Sequence, residues 1–156
     1  MSIYMELEAN GNVVKGGCSI KPYEDWITVL DFSMPMKAHL EGGLAARAGR
    51  RLLGPLKFTK PMDKATPVLF RAFSNNEVIK LRMNLHSPHP DTGENEHRLT
   101  LELDKGRIIE FNQTGAPTSA GSSAALNDVV VINAQVVTWT WEEGGISHMD
   151  DWHQAV

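Results

Sequence analysis

Alternating apolar and polar positions dominate this chain. Ile3, Met5, Leu7 and Ala9 alternate with Tyr4, Glu6 and Glu8, the period-two pattern of a half-buried strand. Asn10-Gly11 follows as a hairpin-type turn. From Trp26 to Met36 a second extended run places Trp26, Thr28, Leu30, Phe32 and Met34 on one face and Ile27, Val29, Asp31 and Ser33 on the other. The second face is apolar at one end and polar at the other, so its surroundings change along its length. Leu56 to Lys60 reads as strand, ended by Pro61, which removes a ladder donor. Further on, Ile79, Leu81, Met83 and Leu85 point inward, and Val78, Lys80, Arg82, Asn84 and His86 outward. Leu99, Leu101 and Leu103 alternate in the same way; Lys105-Gly106 is expected to turn the chain, with Ile109 and Phe111 continuing the pattern. Residues 127–141 form one long strand, apolar on both faces for part of its length and therefore buried on both sides there.

One segment breaks the alternation with a helical period. Thr66 is expected to cap a helix whose first position is Pro67, because proline lacks the amide that would go unpaired there. Val68/Ala72 and Leu69/Phe73 then repeat at i, i+4 and give the helix an apolar side, and Asn75-Asn76 ends it. Three stretches read as loops: 39–52, rich in Gly and Ala, with a short helix at Leu44 to Ala48; 87–95; and the small-residue run 114–125. Gly144-Gly145 opens a polar tail expected to be mobile and dispensable for assembly. Seven or eight short strands at hairpin spacing with one helix favour a sandwich or barrel, and an amphipathic helix can plug a barrel's open end.

Composition narrows the function. A length of 156 residues suits one domain, read as 1–145 with a tail at 146–156. The net charge of −4 argues against a broad nucleic-acid surface. The single cysteine, Cys18, fits folding in a reducing compartment. No apolar run approaches the ~20 residues that span a bilayer, so membrane insertion is not expected, and the N-terminus lacks the apolar core of a signal peptide.

Catalytic signatures are absent: no P-loop, no Gly-rich dinucleotide turn, no G-x-S-x-G, H-E-x-x-H or C-x-x-C. Cys18 reads as an inert small residue, since no nearby group would lower its pKa. His86, His89 and Asp91, and His148, Asp150, Asp151 and His153 are weighed as metal ligands and read as surface residues on poor scaffolds; no metal or other cofactor is expected. Asp31 and Glu24-Asp25 read as a strand flank and an exposed turn rather than an acid/base pair. Arg47, Arg50 and Arg51 make a basic loop that is a weak signal for phosphate in a net-acidic chain and reads rather as a solvated loop or as a docking loop for an acidic patch on another subunit. Trp139, Trp141 and Trp152 serve equally as core or interface residues.

The helical segment carries a second signal. FTKPMDKATPVLFRAF resembles the F-T-K-x-x-D-K-[ST]-[TP]-x-L segment of the Hcp (haemolysin-coregulated) family, the tube subunit of type VI secretion. NVVKGGCS resembles the family's early V-K-G-E-S, with Gly17 and Cys18 in place of Glu-Ser. ITVLDFSMPM resembles its V-L-x-[WF]-S-x-x-M strand. Asn133-Ala134-Gln135-Val136 keeps the late N-F-A-Q-V core, with Ile132 where Phe is common.

The resemblance implies a mainly β protein: a closed, tail-tube-like antiparallel barrel with one short flanking helix and long loops. Six copies would form a ring and the rings would stack into a tube. The family has no catalytic residues, shelters effectors in its lumen, and works with a spike protein and a contractile sheath. The subunit would fold in the bacterial cytoplasm and leave without a signal peptide. On this reading Asp31 and Ser33 are candidates for the lumen wall, and Leu44, Arg47, Arg50 and Arg51 for the contact between stacked rings. The alternatives are a phage-type tail tube protein, which shares the architecture, and a small-ligand or metal-binding barrel, which needs a convergent polar pocket.

Overall fold

The computed structural model describes residues 2–40, 48–115 and 126–152. Strands β1 (Ser2–Ala9) and β2 (Asn12–Val14) form the expected N-terminal hairpin, with Asn10 and Gly11 at φ 49° and 83°, the left-handed pair a tight turn requires. Ile3, Met5, Leu7 and Ala9 are all buried. The next extended run is divided. Strand β3 (Ile27–Val29) pairs with β1, whereas β4 (Asp31–Ser33) pairs with β7 (Leu56–Pro61). Leu30, between them, is half exposed, and its amide donates to the Thr59 carbonyl. The break re-aims the chain. Ile27 and Val29 face the core before it, and Phe32 and Met34 pack on the core after it; the face carrying Ile27, Val29, Asp31 and Ser33 does pass from buried to exposed as expected, but the run is two strands and not one.

Within the stretch expected to be a loop, residues 39–40 and 48–52 lie in strands. Strands β5 (Met36–Leu40) and β6 (Ala48–Leu53) make a separate two-stranded antiparallel sheet. Of the short helix expected at 44–48, Ala48 lies in β6, and 44–47 lie outside the described residues.

Helix α1 (Thr66–Ser74) forms where expected, but its N-cap is Ala65, with no side-chain cap hydrogen bond; the Thr66 hydroxyl is used elsewhere. Leu69 and Ala72 are its buried residues, while Phe73 is exposed. The buried pair is thus i, i+3, and the apolar side is rotated from the expected one. Asn76, at φ 50°, reverses the chain after the helix.

Strand β8 (Ile79–Pro88) buries Ile79, Leu81, Met83 and Leu85 as its alternation requires. Asn84, on the opposite face, is also buried, because Tyr23 covers it. Strand β9 (Asn95–Gly115) runs straight through the turn expected at Lys105-Gly106. Lys105 adopts φ 54°, and Gly106 packs so closely that a Cβ there would lie 3.1 Å from the Ile79 carbonyl oxygen, so the strand bends without reversing. The register against β10 (Leu126–Trp141) then slips near Ile109, which places Ile108 inside and Ile109 outside.

The polar tail is also more ordered than expected. Residues 146–151 form β11 (Ile146–Asp151), hydrogen-bonded to β10 from Val136 to Trp141. The main sheet follows the order β2-β1-β8-β9-β10-β7-β4, with β11 on β10 and β3 on β1. The expected mainly β fold with one short helix is present, but this sheet is not closed. Its two ends are linked by the chain segment 27–33, and no single strand bonds to both.

Candidate functional site

The segment that carries the family signature builds a buried polar cluster. On β7, Leu56, Phe58 and Lys60 lie at alternate positions and all three point inward, so a lysine occupies a core position. Its partner is set by the register: Asp128 on β10 stands directly across from Lys60, and both side chains are fully buried. Lys60 Nζ donates to Asp128 Oδ2 at 2.8 Å, to the Pro61 carbonyl at 2.9 Å and to the Thr66 hydroxyl at 3.4 Å, and forms an ion pair with Asp63 Oδ1 at 3.0 Å. Its donors thus all find acceptors, which a buried ammonium needs if it is not to carry the cost of desolvation alone.

The remaining groups of the cluster connect four segments. The Thr66 hydroxyl donates to Asp128 Oδ2 at 2.6 Å and accepts the Asp63 amide at 3.0 Å. Asp63 Oδ1 accepts the Ala65 amide, and its Oδ2 accepts the Gly17 amide. The side chains of Lys60, Asp63 and Thr66 within this segment therefore hold β7, the start of α1, β10 and the Gly16–Cys18 stretch at one point. The oxygens of Asp63, Thr66 and Asp128 are engaged with backbone amides, the lysine, the Gln113 amide and one another, so the cluster fastens these segments together. Sequence reasoning missed it. The signals were Lys60 in register with Leu56 and Phe58, and Asp128 at the head of an apolar run.

The expected surface residues are placed as follows. Asp31 and Ser33 are exposed on β4, opposite Thr59 and Lys57. Leu44 and Arg47 lie outside the described residues; Arg50 and Arg51 lie on β6, the latter opposite Ala38. Asp25, at φ 64°, pairs with Lys64 at 2.6 Å, and that hydrogen bond holds its carboxyl below the usual carboxylate range. Cys18 is buried and free.

Among the described residues no group of three or more ligand side chains is placed to hold a metal, and His153 lies outside them. His86 is instead part of an aromatic stack. Its ring lies 5.4 Å from the His97 ring and edge-on to Tyr4 and Tyr23, and the Tyr23 hydroxyl lies 2.9 Å from Nε2. Burial, then the neighbouring His97, lower the His86 pKa. His97 bonds the Thr100 hydroxyl, which donates to Glu142. Trp139 is half-buried against the core, whereas Trp141 is exposed, with the Arg98 guanidinium 5.0 Å above its ring. Trp152 lines an open groove of about 560 Å³ with Leu53, Asn76, Lys105, Arg107 and Ile109.

Residues 4–141 match the sequence model of the family described as type VI secretion system effector, Hcp. The "Major exported protein" of Pseudomonas aeruginosa is 26% identical over 137 residues, which cover 86% of this chain and 79% of that protein. Among solved structures, a double-tryptophan mutant of Hcp1 from the E. coli EAEC 042 pathovar superposes with a TM-score of 0.84 at 20% identity, over 97% of this chain and 99% of that one. Secreted protein Hcp3 of Pseudomonas aeruginosa gives 0.75 at 24% identity, over 96% and 99%. The structural likeness shows the fold, and the sequence match covers most of the length. The chain belongs to the Hcp family of type VI secretion proteins.

Proposed function

We propose that this chain is the inner-tube subunit of a type VI secretion machine, forming six-membered rings that stack, are exported, and carry effectors in their lumen. The family match over residues 4–141 carries this reading. A ring needs two different surfaces on each subunit, joined head to tail. The open ends of the main sheet, at β2 and β4, offer unpaired strand edges of the kind that assembly covers. Segment 27–33 completes a barrel on this reading by passing from β1 to β7. Asp31 and Ser33, exposed and polar, are the candidate lumen residues; the β5–β6 hairpin, with Arg50 and Arg51 on its second strand, is the candidate stacking contact. Spike, sheath and effector proteins are the remaining partners.

The test is light scattering on the purified protein with negative-stain imaging of the peak. Six copies of 17.3 kDa give about 104 kDa and ring-shaped particles. A monomer at every concentration up to that of the cell would refute the reading.

A further inference from the structure

The groove beside the base of the β5–β6 hairpin contains two cations, Lys105 and Arg107, that have no ion-pair partner among the described residues. Among the described residues Lys105 makes no salt bridge, and Arg107 commits only Nη1, to the Gly106 carbonyl at 3.1 Å. The amides of Asn76, Asn133 and Gln135 line the same groove. The nearby acids are occupied: Asp104 accepts the Lys105 amide, and Asp151 accepts Gln135 Nε2 at 3.2 Å. Arg50 and Arg51 lie on β6 three and two positions before Leu53, which also lines the groove.

The other end of the same strand pair is acidic. The turn between β10 and β11 carries Glu142 and Glu143 ahead of Gly144 and Gly145, and Glu96 and Glu143 line one cleft with His89, His97, Arg98 and Trp141. Arg98 is stacked on Trp141, and Glu142 is held by Thr100; Glu96 and Glu143 make no salt bridge among the described residues. From Glu96 to Arg107 the strand β9 advances eleven positions, roughly 35 Å at the rise of an extended chain. The free anions and free cations of one copy are therefore too far apart to meet each other.

We propose that the groove receives the acidic β10–β11 turn of a second copy, with Glu96 and Glu143 of one subunit facing Lys105 and Arg107 of the next. This rests on the tube-subunit reading and names the chemistry of its end-to-end contact. The two surfaces differ and lie at opposite ends, so the contact is head to tail and propagates. Each pair is exposed and weak alone, but a ring presents six at once, and the sum decides association. Salt weakens it, because exposed charges are screened within about 8–10 Å at ordinary ionic strength.

The experiment is sedimentation velocity with electron microscopy, at low and high salt, on four proteins. Wild type is expected to stack rings at low salt and to separate into single rings near 0.5 M salt. Lys105→Glu/Arg107→Glu and Glu96→Lys/Glu143→Lys are each expected to keep the ring and to raise the concentration needed for stacking by about tenfold or more. All four substitutions on one chain exchange the two charges and are expected to restore stacking. Stacking of either reversed protein at the wild-type concentration, failure of the fourfold variant to recover while its rings persist, or no stacking by wild type at low salt overturns the proposal. Absence of rings in wild type would overturn the tube-subunit reading instead.

Discussion

Replacing Lys60 by methionine removes the ammonium that two carboxylates face. Asp128 is fully buried and Asp63 nearly so, at 13% exposure. After the change Asp128 keeps the Thr66 hydroxyl at 2.6 Å and a long bond from Gln113 at 3.4 Å, but no cation. Stranding a buried charge in this way costs about 3–5 kcal/mol. Asp128→Asn is milder. Lys60 still has Asp63 and the Pro61 carbonyl, and the amide still accepts from Thr66, so the cost is about 1.5–3 kcal/mol. In the double variant no charge is stranded at Asp128, and the combined loss should fall short of the sum by about 2 kcal/mol. At roughly 2–4 °C per kcal/mol for a chain of this size, Lys60→Met should lower Tm by about 6–20 °C. The assay is chemical denaturation of the three variants at one subunit concentration, since assembly adds its own stability. Additivity within about 0.5 kcal/mol, or a Lys60→Met protein within 1 kcal/mol of wild type, would refute the argument that this pair is coupled and dry.

The aromatic stack gives a pH dependence with a definite sign. Burial and His97 depress the His86 pKa, so folding favours the neutral ring; that stabilisation is present above the ordinary value of 6.5 and is lost as pH falls through the lower folded-state value. Tm should drop between pH 7.5 and 5 by less in His86→Gln than in wild type, and equal slopes would contradict the assignment. Gly16→Ala places a methyl 2.6 Å from the Trp26 carbonyl oxygen and 2.7 Å from Ile27 Cα, so it should cost about 1–3 kcal/mol in denaturant unfolding. Deleting 146–156 exposes the β10 edge from Val136 to Trp141 and should lower Tm and promote aggregation visible by light scattering; an unchanged, soluble protein would mean that β11 is dispensable. Arg47→Ala/Arg50→Ala/Arg51→Ala should weaken ring stacking and spare the ring, and unchanged filament formation in electron micrographs would count against the hairpin as a stacking contact.

Strands with one consistent inward face were legible from residue spacing alone. The alternation of β1 and β8 needs only the period of two, and every residue expected to face inward is buried in both; the exceptions are Tyr4 and Asn84 on the opposite face, which are buried as well, beside Tyr23. The misreadings have a common physical origin: backbone events that leave no compositional mark. The break at Leu30 exchanges inward and outward faces within one apolar run, and the slip near Ile109 does the same between β9 and β10. A Lys-Gly pair looked like a hairpin turn, yet β9 has a partner on each side there and bends through it. The tail reads as polar because β11 packs by backbone pairing with mostly exposed side chains. The buried cluster escaped for the opposite reason: a lysine and an aspartate are ordinarily surface residues, and only the cross-strand register brings them together. The family resemblance located the right segment without explaining why those side chains recur in it.

The β5–β6 sheet has only two strands and joins no other sheet. A lone pair of strands is marginal in water, so its amide protons are held by little beyond their own ladder. Contact with a neighbouring molecule would add protection there before anywhere in the core, where exchange already requires global opening. Deuterium uptake of residues 36–40 and 48–53, followed as subunit concentration rises, would thus serve as an intrinsic gauge of assembly that needs no label, with the Ile79–Leu85 stretch of β8 as the unchanging internal reference.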